Sequence, residues 1–212
     1  SGGDSYTYAQ DNAIFMISAK RGTEKLLLDL DTFNGDLNRN SIDSVKRMPS
    51  IKFTDKDNAS FKIKKDYYTY KLSINSISKT NSIEEGAENI DRCKANNLIA
   101  YTKKNNLFIS DNSVEKQITN DEDTGIVNGQ TVHRNEFGIS KGIYWSEQGN
   151  KLAFYRKDET MVTDYPLVNI ETEIATVEST KYPMAGQTSH EVTLGIYDLA
   201  NETTVFLKTG EP

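Results

Sequence analysis

The sequence predicts an all-β protein, a partial β-propeller of about four four-stranded antiparallel blades. Short runs rich in Val, Ile, Tyr, Phe and Thr recur along the chain and are separated by Asn, Asp, Gly and Ser. Pairs of these runs form hairpin patterns that repeat, and helical periodicity is weak throughout. Two hairpins per repeat of roughly 40–50 residues is the spacing of a four-stranded blade.

The predicted strands cover most of the chain. Residues 60–64 alternate apolar and polar side chains, as a half-buried strand does. The other predicted strands are 13–18, 67–74, 98–101, 106–110, 142–145, 151–155, 192–197 and 203–207. The best helical candidate, 23–31, also fits a strand followed by a turn.

Two kinds of hairpin make up the repeat. The first is clearest at 143–155, where the turn ends in Gly149-Asn150, and weaker copies lie at 93–101 and 51–63. The second occurs at 107–119 and 194–207 and turns at an Asp-containing tetrapeptide. The length fits either a closed ring or an arc of a larger ring. A β-sandwich with coincidentally similar hairpins is the alternative fold.

Composition excludes several classes of function. The net charge is -6 with acidic and basic residues interspersed, which argues against a nucleic-acid or anionic-membrane partner. No apolar run approaches the roughly 18 residues of a membrane span. Cys93 is the single cysteine, so no internal disulfide can form.

No catalytic motif is complete in the chain. The Gly-x-Ser-x-Gly elbow is absent, and neither His133 nor His190 lies in a recognisable Ser-His-Asp set. No His/Cys pair has zinc spacing, and the acidic turn that begins at Asp55 lacks the Gly and Glu of a calcium loop. We therefore predict no catalytic residue, no metal site and no cofactor.

The segment 129–166 is the most unusual part of the sequence. Residues 133–138 place Arg134, Asn135 and Glu136 between turn residues. A carboxylate held on a short rigid element can bind an ammonium group, and more strongly where the pair is partly desolvated. From spacing alone, Glu136 also fits a solvated turn carboxylate.

The neighbouring residues have simpler interpretations. His133 is predicted to be a structural hydrogen-bonding residue, and Trp145 and Phe154 to be core. Residues 158 and 159 are predicted to be loop surface, and the Tyr-Pro pairs at 165–166 and 182–183 to be extended crossings between strands.

The residues from 125 to 212 resemble a known family. The matching residues are Val132-His-Arg-Asn-Glu-Phe-Gly138, Trp145-Ser146, Leu152-Ala-Phe-Tyr-Arg156, Val162, Tyr165-Pro166, Tyr182-Pro-Met-Ala-Gly186 and Val192-Thr-Leu-Gly-Ile-Tyr197. They are similar to the propeller of the dipeptidyl peptidase IV family, and most similar within it to bacterial prolyl tripeptidyl aminopeptidases. The first 120 residues match only in blade pattern.

The resemblance implies a fold and an activity for a longer parent protein. Family members are serine exopeptidases that remove short N-terminal peptides, usually after proline. An eight-bladed propeller covers a C-terminal α/β-hydrolase domain that carries the Ser, Asp and His. Residues 1–212 are then the N-terminal propeller region, with early blades in 1–124 and the recognition insertion in 125–212, and the hydrolase domain is absent from this chain.

The resemblance also implies partners and a location. The partners are the N-terminus of a peptide substrate and the hydrolase domain of the same parent chain, and the parent is a candidate homodimer. The parent protein is expected in the periplasm, at the cell surface or secreted outside the cell.

In the family, a propeller insertion presents Glu to the substrate's α-ammonium, and Glu136 matches this residue. Its distance from the catalytic Ser sets the product length. The dipeptidyl enzymes carry two adjacent Glu, whereas Asn135 precedes Glu136 here, so dipeptide and tripeptide release both stay open.

Arg134 either orients Glu136 or is a rim charge. The family's early-blade Arg for the substrate carbonyl has no match near Lys64. A stand-alone propeller or sandwich module that binds protein or glycan is the alternative function.

Overall fold

The computed structural model describes residues 5–210, except for the side chains of Arg134 and Asn135. Strands dominate these residues, and every strand pairing is antiparallel. The chain forms two compact units, Ser1–Ser82 and Ile83–Pro212.

The first unit contains two sheets and a helix. Its three-stranded sheet has the order β1-β2-β3, and its four-stranded sheet has the order β4-β5-β6-β7. The strands are β1 (Ser5–Gln10), β2 (Ala13–Ser18), β3 (Glu24–Asp29), β4 (Lys52–Phe53), β5 (Asn58–Ile63), β6 (Asp66–Lys71) and β7 (Ser76–Ser82). Helix α1 (Leu30–Arg39) connects the sheets, and a short 3₁₀ turn, Leu72–Ile74, follows β6.

The second unit contains two larger sheets and a separate hairpin. The orders are β11-β10-β9-β8 and β12-β14-β17-β18, with β13 also paired to β14, and the hairpin is β15-β16. The strands are β8 (Glu88–Arg92), β9 (Ile99–Lys103), β10 (Asn106–Asp111), β11 (Val114–Gln117), β12 (Ile126–Asn128), β13 (Ile143–Trp145), β14 (Lys151–Asp158), β15 (Asp164–Asn169), β16 (Thr176–Lys181), β17 (Glu191–Asp198) and β18 (Thr203–Phe206).

Tight turns explain why three of the hairpins form, and one of the three, 107–119, was predicted. Two-residue turns with both residues at positive φ connect three strand pairs, at 11–12, 104–105 and 112–113. This backbone matches the right-handed twist of the strands it joins, and Asn and Asp adopt it with little penalty. The four sheets confirm the predicted all-β blade pattern.

Each unit has its own apolar core. In the first, Phe33 and Leu37 of α1 are fully buried against the sheets. In the second, Leu107, Leu152 and Phe154 are fully buried. Trp145 packs against this second core, as predicted, and its indole N–H donates to the Asp91 carbonyl at 3.1 Å.

The structure tests two local predictions. Residues 24–29 are strand, as the strand-and-turn alternative for 23–31 predicted, and a helix that was not predicted follows at 30–39. The Tyr-Pro pair at 165–166 lies within β15, which pairs with β16 instead of crossing between strands. Pro166 fits there because a two-stranded hairpin leaves one backbone edge of each strand free.

No helix among residues 5–210 is long and apolar enough to cross a membrane.

Candidate functional site

The segment that carries Glu136 is an excursion from a sheet edge. β12 and β13 both pair with β14, with Asn128 opposite Arg156 and Ile143 opposite Phe154. Between them, Tyr155 bonds both ends of the excursion: its carbonyl accepts from Gly129 N–H at 2.8 Å, and its N–H donates to the Gly142 carbonyl at 3.0 Å. Residues 130–141 therefore leave and re-enter one edge at a single position of β14.

The two ends of the excursion approach each other closely. A Cβ on Gly142 would lie 2.0 Å from the Gln130 carbonyl oxygen, a distance that no side chain tolerates. The Thr131 hydroxyl donates to the Ile139 carbonyl at 3.0 Å and ties the flanks of the excursion together. The excursion is thus closed at its base and between its flanks.

A short 3₁₀ helix, His133–Gly138, forms the top of the excursion. His133 and Phe137 have φ values of 53° and 56°, in the left-handed region that costs a non-glycine residue roughly 1–2 kcal/mol. Phe137 is 84% exposed beside the exposed Glu136. Strained backbone of this kind is concentrated at binding and catalytic sites.

Glu136 lines a cavity of about 550 Å³. Its wall comes from the excursion, the end of β14, the end of β16 and the segment before β17. The other lining residues are Thr131, His133, Lys157, Glu159, Ser179, Thr180, Lys181, Tyr182, Pro183 and His190. This volume lies within the range of sites for small ligands.

The other charged side chains of the cavity are paired. Lys157 and Glu159 form a largely buried ion pair at 2.7 Å. The Lys181 ammonium donates to the Val162 carbonyl at 3.0 Å and lies 3.2 Å from Asp164. Among the side chains that the structure describes, Glu136 forms no ion pair, so its carboxylate can receive a cation.

His190 lies on the same cavity wall and is partly buried. Burial lowers its pKa below the usual value, and the charge of Lys157 adds to this effect, so the imidazole is neutral at pH 7. Its ring centroid lies 5.9 Å from that of His133.

The structure brings together more residues than the sequence predicted. Glu136 and His133 share the cavity, whereas the side chains of Arg134 and Asn135 lie outside the described part of the structure. The prediction of loop surface at 158 and 159 was wrong, because Asp158 lies in β14 and the Glu159 side chain is 16% exposed and paired. Lys157, Lys181 and His190 were missed, since no local motif marks residues that meet only through strand pairing.

No group of three or more His, Cys, Asp or Glu within the described residues could hold a metal ion.

Comparison with known proteins identifies the family. Residues 47–212 match the family model of the dipeptidyl peptidase IV (DPP IV) N-terminal region. The chain belongs to the dipeptidyl peptidase IV family. It is 29% identical over 190 residues to dipeptidyl peptidase 4 of Felis catus, and 34% identical over 121 residues to a protein of Podospora anserina assigned as a dipeptidyl-aminopeptidase B. These alignments cover 84% and 49% of the chain.

Solved structures agree with this dipeptidyl peptidase IV assignment. A Bacteroides ovatus protein assigned as a dipeptidyl aminopeptidase IV superposes on 99% of the chain with a TM-score of 0.87 and 40% identity. Porphyromonas gingivalis dipeptidyl peptidase 4 superposes with a TM-score of 0.65 at 20% identity, and this likeness supports the fold alone. The all-β sheets are thus part of a DPP IV propeller, which favours the predicted propeller over a sandwich.

The chain corresponds to only part of these proteins. It spans 24% of the cat protein and 13% of the Podospora protein. It spans 29% and 32% of the two solved chains.

Proposed function

We propose that this chain is the non-catalytic propeller portion of a serine exopeptidase that releases di- or tripeptides from peptide N-termini, usually after proline. In this proposal, residues 1–212 form one propeller region, and the hydrolase domain of the parent supplies the catalysis. Residues 125–212 contain the blade that recognises the substrate. The parent works in the periplasm, at the cell surface or outside the cell.

One observation carries the proposal for the site. The Glu136 carboxylate is held on a closed, strained excursion and lines a cavity in which Lys157 and Lys181 already have partners. A free α-ammonium of a peptide supplies the missing positive charge. A peptide with a blocked N-terminus leaves the carboxylate unpaired and is rejected.

The same geometry acts as a ruler. A carboxylate on a rigid excursion fixes the position of the first residue, and the distance to the catalytic Ser then sets how many residues are removed. Asn135 precedes Glu136, so this site offers one adjacent carboxylate and not two. The length of the product stays an open part of the proposal.

We also propose that the parent enzyme is a homodimer. The β15-β16 hairpin supports this, since it pairs with no other strand among residues 5–210 and exposes Val168, Ile170, Ile174 and Val177.

Replacing the carboxylate tests the site. In the parent enzyme, Glu136→Gln is expected to lower kcat/KM about 10- to 100-fold on a proline-containing peptide, because a charge-assisted hydrogen bond contributes roughly 1.5–3 kcal/mol. The preference for a free over an N-acetylated peptide is expected to collapse in parallel.

The matched control is Glu147→Gln, which removes an exposed carboxylate on the turn between β13 and β14. It is expected to leave kcat/KM unchanged. An unchanged kcat/KM for Glu136→Gln contradicts the assignment of Glu136.

A further inference from the structure

His190 has an unused hydrogen-bonding capacity in the cavity that Glu136 lines. It lies immediately before β17. Neither His190 nor His133 forms a side-chain hydrogen bond with another residue in the described range, so the prediction of a structural hydrogen-bonding role for His133 was wrong. His190 is only partly buried, and its nitrogens are not among the buried polar atoms that lack a partner, so they are accessible to solvent or to a ligand. Here the open cavity is where a partner can enter.

Ring packing fixes the position of this imidazole relative to the excursion. The His190 ring lies 5.9 Å from the His133 ring, which in turn meets Phe137 edge-on at 5.8 Å. Phe137 is the neighbour of Glu136 in the 3₁₀ helix. A continuous row of three rings thus connects the start of β17 to the element that carries the carboxylate.

The charge state of His190 allows it to act as a neutral hydrogen-bond donor. Burial lowers its pKa, and Lys157 and His133 act in the same direction, while Glu159 opposes them. The other charged groups that line the cavity are Glu136 and Lys181. A neutral imidazole offers one N–H donor and adds no charge that would repel a bound ammonium.

We propose that His190 is a specificity-determining residue whose N–H donates to the carbonyl oxygen of the substrate's first residue. The proposal rests on Glu136 binding the α-ammonium of that residue. Glu136 and His190 line the same cavity, and one extended residue, about 3.3–3.6 Å long, carries its ammonium and its carbonyl close enough together to contact two groups of one cavity wall. Two contacts on one residue fix its direction as well as its position.

The variants His190→Phe, His190→Asn and His190→Gln separate hydrogen bonding from ring packing. In the parent enzyme at pH 8, His190→Phe keeps the ring contact with His133 and is expected to raise KM about five- to tenfold with kcat within about twofold, the loss of one neutral hydrogen bond. One of the two amide variants is expected to recover part of the loss, because its side-chain N–H replaces one imidazole nitrogen.

The pH profile supplies a second readout. Protonation of wild-type His190 places a positive charge beside the bound ammonium, so KM is expected to rise as the pH falls through the lowered pKa. This rise in KM at low pH is the acid limb of the profile. The variant His190→Phe is expected to lose it, and His133→Phe is expected to keep it. A purely structural role would not remove the limb selectively.

The outcomes distinguish this inference from the function on which it rests. If Glu136→Gln raises KM and His190→Phe changes neither KM nor the acid limb, the role of His190 is overturned and that of Glu136 stands. If Glu136→Gln has no effect, the proposed function fails. If the three His190 variants all lower Tm, and all lower kcat/KM by the same factor, His190 is structural and the inference is overturned.

Discussion

Gly142 closes the base of the excursion that carries Glu136. Its Cα position leaves no space for a side chain, because the Gln130 carbonyl oxygen and the Gly129 carbonyl carbon would lie 2.0 Å and 2.6 Å from a Cβ. Both contacts are with backbone, which cannot rotate away as a side chain can. The position of the carboxylate therefore depends on a residue six positions along the chain.

The substitution Gly142→Ala is expected to destabilise the chain by about 3 kcal/mol, since the excursion must open to admit the methyl group. Urea unfolding of the 212-residue chain measures this. The control is Gly138→Ala, in the same excursion, where a Cβ meets nothing within 4 Å and only the φ of 76° opposes it. That strain costs about 1 kcal/mol. Equal losses for the two variants would contradict the steric role of Gly142.

Single residues also show what the sequence could predict about the site. Glu136 could be proposed from the sequence because the contiguous residues from Val132 to Gly138 resemble the family's recognition insertion, and its role stays a prediction. His190 and Lys157 carry no such motif, and they meet only because β14 and β17 pair, with Lys157 opposite Val192. Long-range register of this kind leaves no trace in a local window of one sequence.

Helix α1 shows the same limit at the level of an element. It contains Gly35 and Asn residues, which have low helix propensity, so local preference argues against it. Two features stabilise it: the Asp29 carboxylate caps it by accepting from Thr32 N–H at 2.8 Å, and Phe33 and Leu37 are fully buried. Tertiary burial outweighs propensity here.

Within the described residues, the β15-β16 hairpin pairs with no strand outside itself. Val168 and Val177 face each other across the pair and are 64% and 67% exposed. Isolated two-stranded hairpins are marginal in water, and exposed apolar patches on soluble proteins mark interaction surfaces. A second copy of the parent would bury these side chains.

A variant with Val168→Lys and Val177→Lys is therefore expected to convert a dimeric parent enzyme to monomers in light scattering, because both new charges would be buried at the interface. The control is Glu178→Lys, which changes the net charge by the same two units. Side chains alternate between faces, so residue 178 lies on the opposite face of the hairpin from 177. A monomeric wild-type parent, or a dimer that survives the double substitution, would contradict the proposal.

At the scale of the whole chain, the fold class was predictable because hairpins are local. Each turn brings together residues that are close in sequence, so the turn residues and the alternation of apolar side chains suffice to predict them. The count of strands per sheet was harder. The first sheet has three strands, and the Glu136 excursion splits one strand of the last sheet into β12 and β13. The boundary predicted at residues 124 and 125 stays a prediction.

Two separate cores lead to a prediction about folding. The buried cluster around Phe33 lies wholly within Ser1–Ser82, and the cluster around Phe154 lies wholly within Ile83–Pro212. A domain of roughly 100–150 residues buries about two thirds of its surface, enough for independent stability. Residues 83–212 alone are therefore expected to show a β-type circular dichroism spectrum and a cooperative thermal transition.

A cut through a sheet provides the control for that experiment. Residues 105–212 lack β8 and β9 and so lose the buried side chains of Ile99, Ala100 and Tyr101. This piece is expected to show no cooperative transition, because β10 would present an unpaired edge and an uncovered apolar face. If residues 83–212 also show no cooperative transition, the second unit does not fold independently. If only 83–212 folds, the whole wall around Glu136 and His190 forms within a single folding unit, since every residue that lines the cavity lies between Thr131 and His190.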